Sequence, residues 1–433
     1  MDPLIAALVC IGIMLVMLNV GLPIAYALGF SSMLVGFFAF GNAALDKLGW
    51  TTYHTVFNTA WTPLPLFAFM GCLIAQTRIG EDLFGSARLW LSRLPGALVV
   101  SAIIGQAGMA AVLGASAPTI LAIGPVSIPE LQKYNYDKKM SLAALTCGGV
   151  LGPLIPPSAT AIIIAGLMSM SLGPLLIAGI VPGILLAVML SLVPVIMCMR
   201  NPSLGPKTGA VSWSARFSSL KRVWPIVLTF LAILGSIFFG IATATEAGGV
   251  GALIVMIVAV VGYGIRGKAI YEAVIQTVRI NAQILFILVG AAIFSYIVGS
   301  QTLARQLVEW VTAVGPHPIL VVVMIQILLL ILGCFIDGMT IMMITIPIFV
   351  PMIKSMGLNP LWFAVLYLVN MEVSLLTPPM GINFFLVKNL FEIETSDLLR
   401  GVAPYMLMLV IFLFILVAFP AISTWLPSMM IGK

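Results

Sequence analysis

The stretch Gly148-Gly149-Val150-Leu151-Gly152-Pro153-Leu154-Ile155-Pro156-Pro157-Ser158 lies inside an apolar run, residues 140–199, that contains no charged residue. Proline has no backbone N–H and clashes with the preceding turn, so a helix cannot continue through this stretch. The prolines also deprive the carbonyls of Gly149, Gly152 and Pro153 of their i+4 donors. In hydrocarbon such backbone must be buried in protein or line a cavity. The stretch therefore predicts a broken helix at membrane depth, an arrangement that transporters use to bind cations.

The composition places this break in a membrane protein. Of the 433 residues, 61% are hydrophobic and only 8% are charged, and the mean hydropathy is +1.19. Soluble domains carry roughly 25% charged residues, so the chain is predicted to be an all-α polytopic membrane protein. Five scattered cysteines form no CxxC pair and are interpreted as small core residues.

The residues and motifs that an enzyme or a nucleic-acid-binding protein would need are missing from this sequence. Two histidines without an HExxH motif are too few for a catalytic metal centre, and no nucleophile–base set suggests an intramembrane hydrolase. No basic run indicates nucleic-acid binding. We therefore expect no catalytic residues and no cofactor, and sodium as the only metal. A non-transporting scaffold is disfavoured too, because a scaffold gains nothing from a helix break.

Apolar runs of about 20 residues predict the spanning helices. They lie near residues 3–20, 22–42, 61–77, 140–170, 174–199, 224–240, 246–265, 276–299, 360–388 and 401–422. Two further apolar segments are too long for one crossing and short for two, since two crossings need about 40 residues. We interpret Leu94–Pro129 and His317–Ile353 as re-entrant hairpins, named here hairpin 1 and hairpin 2, with tips near Ser116 and Gly338.

The distribution of basic residues predicts the orientation. The linker 200–222 carries five Lys or Arg and no acid, which indicates a cytoplasmic location. Extending the topology from this linker places 16 of the 20 basic residues inside and both termini in the periplasm. Segments 80–94 and 300–313 mix charged and apolar residues and are predicted to be amphipathic interfacial helices.

An internal repeat predicts the architecture. Eleven Gly or Pro identities fall in register between the two halves, at an offset of 219 that becomes 222 after a three-residue insertion. The halves are 1–222, ending in the basic linker 200–222, and 223–433. Each half is predicted to hold five transmembrane helices plus one re-entrant hairpin. Five crossings are odd, so the second half is inverted, as in secondary transporters.

The repeat register predicts two binding sites, each made of one hairpin tip and one broken helix. In the second broken helix, Pro378 and Pro379 free the carbonyls of Ser374 and Leu375. Hydroxyls, one carboxylate and backbone carbonyls suit a hard cation such as sodium. The first sodium site is assigned to Ser116, Gly149, Gly152, Pro153 and Ser158, and the second to Asp337, Gly338, Thr340, Ser374 and Thr377.

The same region is predicted to bind the transported molecule through Ser116, Thr340, Asn370 and Asn383. No Lys or Arg occurs in the hairpins or breaks, so an anionic substrate would be balanced by co-bound cations and helix N-termini. Alternative roles are open for the predicted side chains. The alternative for Asp337 is a helix cap, for the hydroxyls a hydrogen bond to a helical carbonyl, and for the amides a hydrogen bond between helices. Glu246 and Glu372 are equally compatible with structural and functional roles.

Several motifs resemble the large membrane (M-type) subunit of tripartite ATP-independent periplasmic (TRAP) transporters. They are Gly114-Ala115-Ser116-Ala117 with Ala122-Ile123-Gly124-Pro125, Gly148-Gly149-Val150-Leu151-Gly152 with Ile155-Pro156-Pro157-Ser158, Thr245-Glu246-Ala247, Asp337-Gly338, Pro347 to Pro351, and Thr377-Pro378-Pro379-Met380-Gly381. The resemblance runs over nearly the whole chain. Pro153 departs from the aliphatic residue expected there, and it should widen the break without removing it.

The resemblance implies an elevator-type sodium symporter of the bacterial inner membrane, with an ion-transporter-superfamily-like fold. Its moving elements would be about 95–170 and 317–388, with the remainder forming the scaffold and interfacial arms. The implied partners are a periplasmic substrate-binding protein and a small four-helix membrane subunit, the latter expected as a separate chain. The implied substrate is a small organic anion, mostly a carboxylate in this family. A stand-alone sodium/anion symporter without a binding protein is the alternative.

Overall fold

The computed structural model describes residues 3–206, 209, 211–298, 317–336, 338–378 and 381–431. All regular secondary structure in these ranges is helical. The helices are α1 Pro3–Asn19, α2 Ile24–Phe40, α3 Ala43–Val56, α4 Pro63–Ile74, α5 Ile79–Leu91, α6 Ala97–Leu113, α7 Ser116–Lys133, α8 Lys138–Gly148, α9 Leu151–Leu154, α10 Ala159–Leu167, α11 Leu172–Ala178, α12 Ile180–Arg200, α13 Trp213–Phe238, α14 Ala244–Ile257, α15 Gly267–Val298, α16 Pro318–Phe335, α17 Gly338–Ser355, α18 Pro360–Ser374, α19 Ile382–Phe391, α20 Thr395–Ala418 and α21 Ala421–Ser428. The prediction of an all-α polytopic membrane protein is confirmed.

Membrane-spanning capacity follows from helix length and composition. Within the described ranges, seven helices are long and apolar enough to cross a bilayer, and two bent helix pairs raise the number to at most nine. The bent pairs are 46–56 with 59–74 and 138–154 with 159–167. Helix α3 was not predicted, because Asp46, Lys47 and His54 interrupt the apolar run.

Each predicted hairpin contains two helices that are close in sequence. In hairpin 1, α6 ends at Leu113, the φ of 61° at the following Gly114 lies in the left-handed region, and α7 begins at Ser116. In hairpin 2, α16 ends at Phe335 and α17 begins at Gly338. Both arms of hairpin 2 are long enough to span the bilayer alone. The re-entrant interpretation therefore stays a prediction.

Both proline-rich segments interrupt their helices, as the sequence predicts. The first break separates α8 and α9 from α10, whose axis is bent by 47° from theirs. Helix α10 begins beyond the prolines, where the Ser158 hydroxyl accepts a hydrogen bond from the backbone N–H of Ala161 at 3.0 Å. The second break separates α18, which ends at Ser374, from α19, which begins at Ile382.

Helix bounds follow the register of the sequence repeat. Both bounds of α7 lie 222 residues before those of α17, and the first residue of α8 lies 222 before that of α18. The two breaks thus occupy matching positions in the two halves. The inverted orientation of the halves and the periplasmic location of the termini stay predictions.

Helices α18 and α5 lie close to the elements that form the breaks and the hairpins. Helix α18 is enclosed over most of its length, since every residue from Trp362 to Ser374 is buried. Helix α5 confirms the helix predicted at 80–94, and it packs on hairpin 1 on one side and on α13 on the other. The second amphipathic segment, 300–313, lies outside the described residues.

Candidate functional site

The tip of hairpin 1 packs directly onto the first helix break. A Cβ atom at Gly152 would lie 2.5 Å from the carbonyl carbon and oxygen of Ala115 and 2.9 Å from the backbone nitrogen of Ser116. On the other side of the break, the backbone N–H of Ala159 donates to the Gly114 carbonyl at 3.3 Å. Because only glycine permits this approach, the tip and the break pack together as one unit.

The carbonyls of the first break differ from one another. The Gly149 carbonyl is not bare, because the N–H of Gly152 donates to it at 2.9 Å. That i+3 bond replaces the i+4 bond that Pro153 cannot form. No such bond to Gly152 or Pro153 occurs among the described backbone groups, since Pro156 and Pro157 have no N–H. Two carbonyls at the break thus keep their full capacity to bind a cation.

The second break satisfies its backbone differently. The sequence predicts that the Ser374 and Leu375 carbonyls lose their donors, and this is wrong for both. The N–H of Thr377 donates to Ser374 and the N–H of Asn383 donates to Leu375, each at 3.1 Å. The i+3 donor, Thr377, precedes the prolines, and the i+8 donor, Asn383, follows them; together they replace the donors that proline removes. Each carbonyl retains one further lone pair for a ligand.

Predicted side chains of the second site lie around this break. The hydroxyls of Ser374 and Thr377 donate to the carbonyls of Asn370 and Val373 at 3.1 and 3.0 Å, which leaves their oxygen lone pairs available. A Cβ at Gly333 would collide with the Ser374 side chain, so the first arm of hairpin 2 packs against α18 here.

At the tip of hairpin 2, a Cβ at Gly338 would lie 3.6 Å from the Met371 side chain. Thr340 is fully buried. The predicted carboxylate ligand, Asp337, lies outside the described residues. The structure thus brings Gly338 close to α18, the helix that carries Asn370 and Ser374.

Both predicted amides are buried and incompletely bonded. The Asn370 side-chain nitrogen donates to the backbone and side-chain oxygens of Gln326 at 2.9 and 2.7 Å, while the Asn370 side-chain oxygen has no partner among the described residues. Asn383 is 1% exposed, and within the part of the chain that the structure describes neither atom of its amide has a partner. An unpaired buried polar group costs about 1–3 kcal/mol, so these atoms are suited to a polar ligand.

Glu372 is the site residue that the sequence left unassigned. It is 4% exposed, and its Oε2 accepts a hydrogen bond from the Ser116 hydroxyl, which is itself 5% exposed. The contact joins the tip of hairpin 1 to the helix that leads into the second break. A buried carboxylate within a transmembrane pattern was the available signal. By contrast, Glu246 caps α14 in a reciprocal capping box with Thr243.

The donor set around the breaks consists of oxygen atoms. In the described part of the chain, no cluster of three or more His, Cys, Asp or Glu residues is arranged to hold a metal ion. All five cysteines are free, and four are buried. Carbonyl and hydroxyl oxygens are ligands for a hard cation, in line with the sodium prediction.

A cavity of about 850 Å³ lies between hairpin 2 and the helices outside the predicted moving elements. Its walls include Tyr26, Gln283 and Phe286 on one side. Phe335, Ile336 and Ile382 line the opposite side, at the hairpin tip and the second break. The volume is within the range of about 300–1,000 Å³ typical of small-molecule sites.

Residues 11–422 match the family model described as the tripartite ATP-independent periplasmic transporter, DctM component. The chain belongs to this TRAP transporter family. It is therefore a multi-pass membrane protein of the large permease type, and the resemblance noted in the sequence is confirmed.

Relatives within the TRAP family align over most of their length. The C4-dicarboxylate TRAP transporter large permease protein DctM of Pseudomonas aeruginosa is 28% identical over 90% of this chain and 91% of its own. The sialic acid large permease SiaM of Vibrio cholerae is 28% identical over 96% and 97%. The ectoine/5-hydroxyectoine large permease UehC of Ruegeria pomeroyi is 29% identical over 86% of both chains.

A solved structure shares the fold of this TRAP permease. The crystal structure of the Alcanivorax borkumensis YdaH transporter superposes with a TM-score of 0.58, covering 85% of this chain and 89% of that one. The two sequences are only 16% identical, so the likeness concerns the fold alone.

Close packing at Gly152 yields a testable prediction. In Gly152→Ala the new methyl group meets the backbone of Ala115 and Ser116, which cannot rotate away as a side chain would. We expect a loss of about 1–3 kcal/mol of stability, the usual cost of overpacking. Thermal unfolding of the purified protein measures it. The control is Gly249→Ala, because a Cβ there meets nothing within 4 Å. Equal melting temperatures for the two variants would contradict the packing described here.

Proposed function

We propose that this TRAP large permease imports a small organic anion of the carboxylate class, driven by sodium, in an elevator mechanism. The observation that carries the proposal is the contact between the tip of hairpin 1 and the first helix break. It gathers carbonyl and hydroxyl oxygens at a buried position, and no Lys or Arg occurs in residues 95–129 or 140–199. Such a site attracts cations and offers an anion no basic partner.

Sodium ions are proposed as the coupling ions. The first would be held at the break that contains Gly149, Gly152, Pro153 and Ser158, together with Ser116 from the hairpin tip. The second would be held by Ser374 and Thr377 with residues of the hairpin 2 tip, Asp337, Gly338 and Thr340. Two observations support this assignment. Carbonyls at the first break have lost their helical donors, and the hydroxyl oxygens of Ser374 and Thr377 at the second break keep lone pairs available.

The substrate class is inferred from the relatives and the site together. The relatives are named for C4-dicarboxylates, sialic acid and ectoine, compounds that all carry a carboxylate. Ser116, Thr340, Asn370 and Asn383 are proposed to contact the substrate. The unpartnered amide atoms of Asn370 and Asn383 support this, because a bound carboxylate or hydroxyl would satisfy them.

Elevator motion would carry residues 95–170 and 317–388 against the remaining helices. Helix α5 is suited to the role of an arm between the two. Arg88 forms an ion pair with Glu130 of α7 at 2.7 Å, and Ser86 is hydrogen bonded to Ser219 of α13 at 3.0 Å. The 850 Å³ cavity lies between proposed moving and fixed elements, where an elevator would admit its substrate.

Two protein partners are proposed from the tripartite character of the family. They are a periplasmic substrate-binding protein and a small four-helix membrane subunit. The proposed location is the bacterial inner membrane, with both termini in the periplasm. A stand-alone sodium/anion symporter is the alternative, and it would transport without any binding protein.

Uptake into proteoliposomes tests the proposal. Purified protein with its small subunit and binding protein should accumulate a labelled carboxylate only under an inward sodium gradient. Asp337→Ala and Ser116→Ala should each reduce the rate at least about tenfold, the cost of losing one charged or hydroxyl ligand. Uptake without the binding protein would favour the stand-alone symporter. Mutant rates equal to wild type would contradict both site assignments.

A second prediction separates substrate binding from folding. Asn383→Leu removes a buried amide that has no partner among the described residues, so the thermal stability of the variant should equal or exceed that of wild type. Its KM for substrate should rise at least about tenfold, because the amide would have bonded the substrate. Thermal unfolding and uptake kinetics measure the two effects. A variant that folds normally and has an unchanged KM would show that Asn383 does not contact the substrate.

A further inference from the structure

The Ser116–Glu372 hydrogen bond joins the two halves of the chain at the centre of the proposed site. The two residues are 256 positions apart. One begins α7 at the tip of hairpin 1, and the other lies two residues before the end of α18. Helix α18 also packs on α9, the short helix within the first break. Three elements, the hairpin tip, the first break and α18, therefore meet around this bond.

Burial of the Glu372 carboxylate is compensated at the hairpin tip. A buried carboxyl group is costly in a low-dielectric interior unless a hydrogen-bond partner is present. Four ion pairs are found among the described residues, and none includes Glu372. Its donor is the Ser116 hydroxyl, which stands at the first residue of α7. The N-terminus of that 18-residue helix adds a favourable dipole.

This bond fixes the state of the Ser116 hydroxyl. A serine hydroxyl has one hydrogen and two lone pairs, and its side chain otherwise samples three staggered rotamers. Donation to Glu372 selects one rotamer of Ser116 and uses the only hydrogen of its hydroxyl group. The lone pairs then remain for a ligand. Without Glu372 the hydroxyl would turn to another acceptor, as the nearby Thr119 hydroxyl does with the Ala115 carbonyl at 2.7 Å.

We propose that Glu372 is a positioning residue for the first sodium site and acts through Ser116. The carboxylate orients the Ser116 hydroxyl so that its oxygen is presented to the cation beside the Gly152 and Pro153 carbonyls. The second half of the chain thereby sets the sodium affinity of a site built from the first half. This inference rests on the proposed sodium coupling and extends it to a residue outside both predicted ligand sets.

A double-mutant cycle tests the proposal. The variants are Ser116→Ala, Glu372→Ala and the double mutant, assayed as the purified full-length protein with its partners. The first readout is the sodium concentration that gives half-maximal uptake, with the substrate KM measured in parallel. The second is the shift in melting temperature between sodium chloride and choline chloride, which requires no transport. Glu394→Gln, at an exposed position before α20, is the control for removing a carboxylate elsewhere.

Each single variant should raise the half-maximal sodium concentration about tenfold, the cost of losing a hydrogen bond to a charged group. The double mutant should be no worse than Ser116→Ala alone, because residues that act through one another are not additive. Additive losses in the double mutant would overturn the positioning role. So would a sodium affinity in Glu372→Ala equal to that of wild type.

Glu372→Gln keeps the proposal falsifiable if the alanine variant does not fold. Glutamine has nearly the same shape and retains an oxygen acceptor for Ser116. It should therefore recover most of the sodium affinity lost in Glu372→Ala, whereas a sodium affinity equal to that of Ser116→Ala would contradict the mechanism. If the uptake rate and the melting temperature of the wild-type protein do not depend on sodium, the proposed function itself is overturned, and the positioning role with it.

Discussion

In a hydrocarbon environment every backbone polar group must find a partner inside the protein, and this constraint explains how the molecule is assembled. The prolines of the two broken helices remove donors that no water or lipid replaces there. In the structure, the tip of hairpin 1 packs on the first break, and other backbone N–H groups replace the missing donors at the second. At the first break, Gly152 permits the backbone of Ala115 to approach, and the Gly114 carbonyl accepts a bond from Ala159. Prolines and glycines therefore act together: the prolines break the helix, and the glycine permits the close approach of the hairpin tip that covers the break.

This constraint also explains why the site contains oxygen ligands and few charges. Carbonyls that have lost their donors point to a buried space, and hydroxyls that bond their own helix add lone pairs. The buried carboxyl group of Glu372 adds further oxygen atoms at the same place, where the Ser116 hydroxyl at the start of α7 donates to it. The result is an oxygen-lined centre enclosed by apolar helices, among them α18, which is buried from Trp362 to Ser374. Under the proposed function, sodium at this centre would neutralise the charge of the transported anion.

Much of the fold follows from local sequence rules. Apolar runs located the long helices, Pro153 to Pro157 located the first break, and the repeat register anticipated that α17 begins 222 residues after α7. Helix α3 escaped prediction because charged residues interrupt its apolar pattern. The Ser374 carbonyl was mispredicted because a local i+3 bond from Thr377 replaces the i+4 bond, and the Leu375 carbonyl because its donor, Asn383, depends on the path of the chain beyond the prolines. Similarly, no local pattern could pair Ser116 with Glu372 across 256 residues, since that contact depends on how the halves pack.

The most direct test of this account is an experimental structure of the permease with its partners, determined once in sodium chloride and once in choline chloride. The account predicts that the tip of hairpin 1 rests on the first break in sodium. Density for an ion should then lie between the Ser116 hydroxyl and the Gly152 and Pro153 carbonyls. That density should be absent in choline. A tip that stands apart from the break in both conditions, or an ion held elsewhere by other residues, would contradict the account.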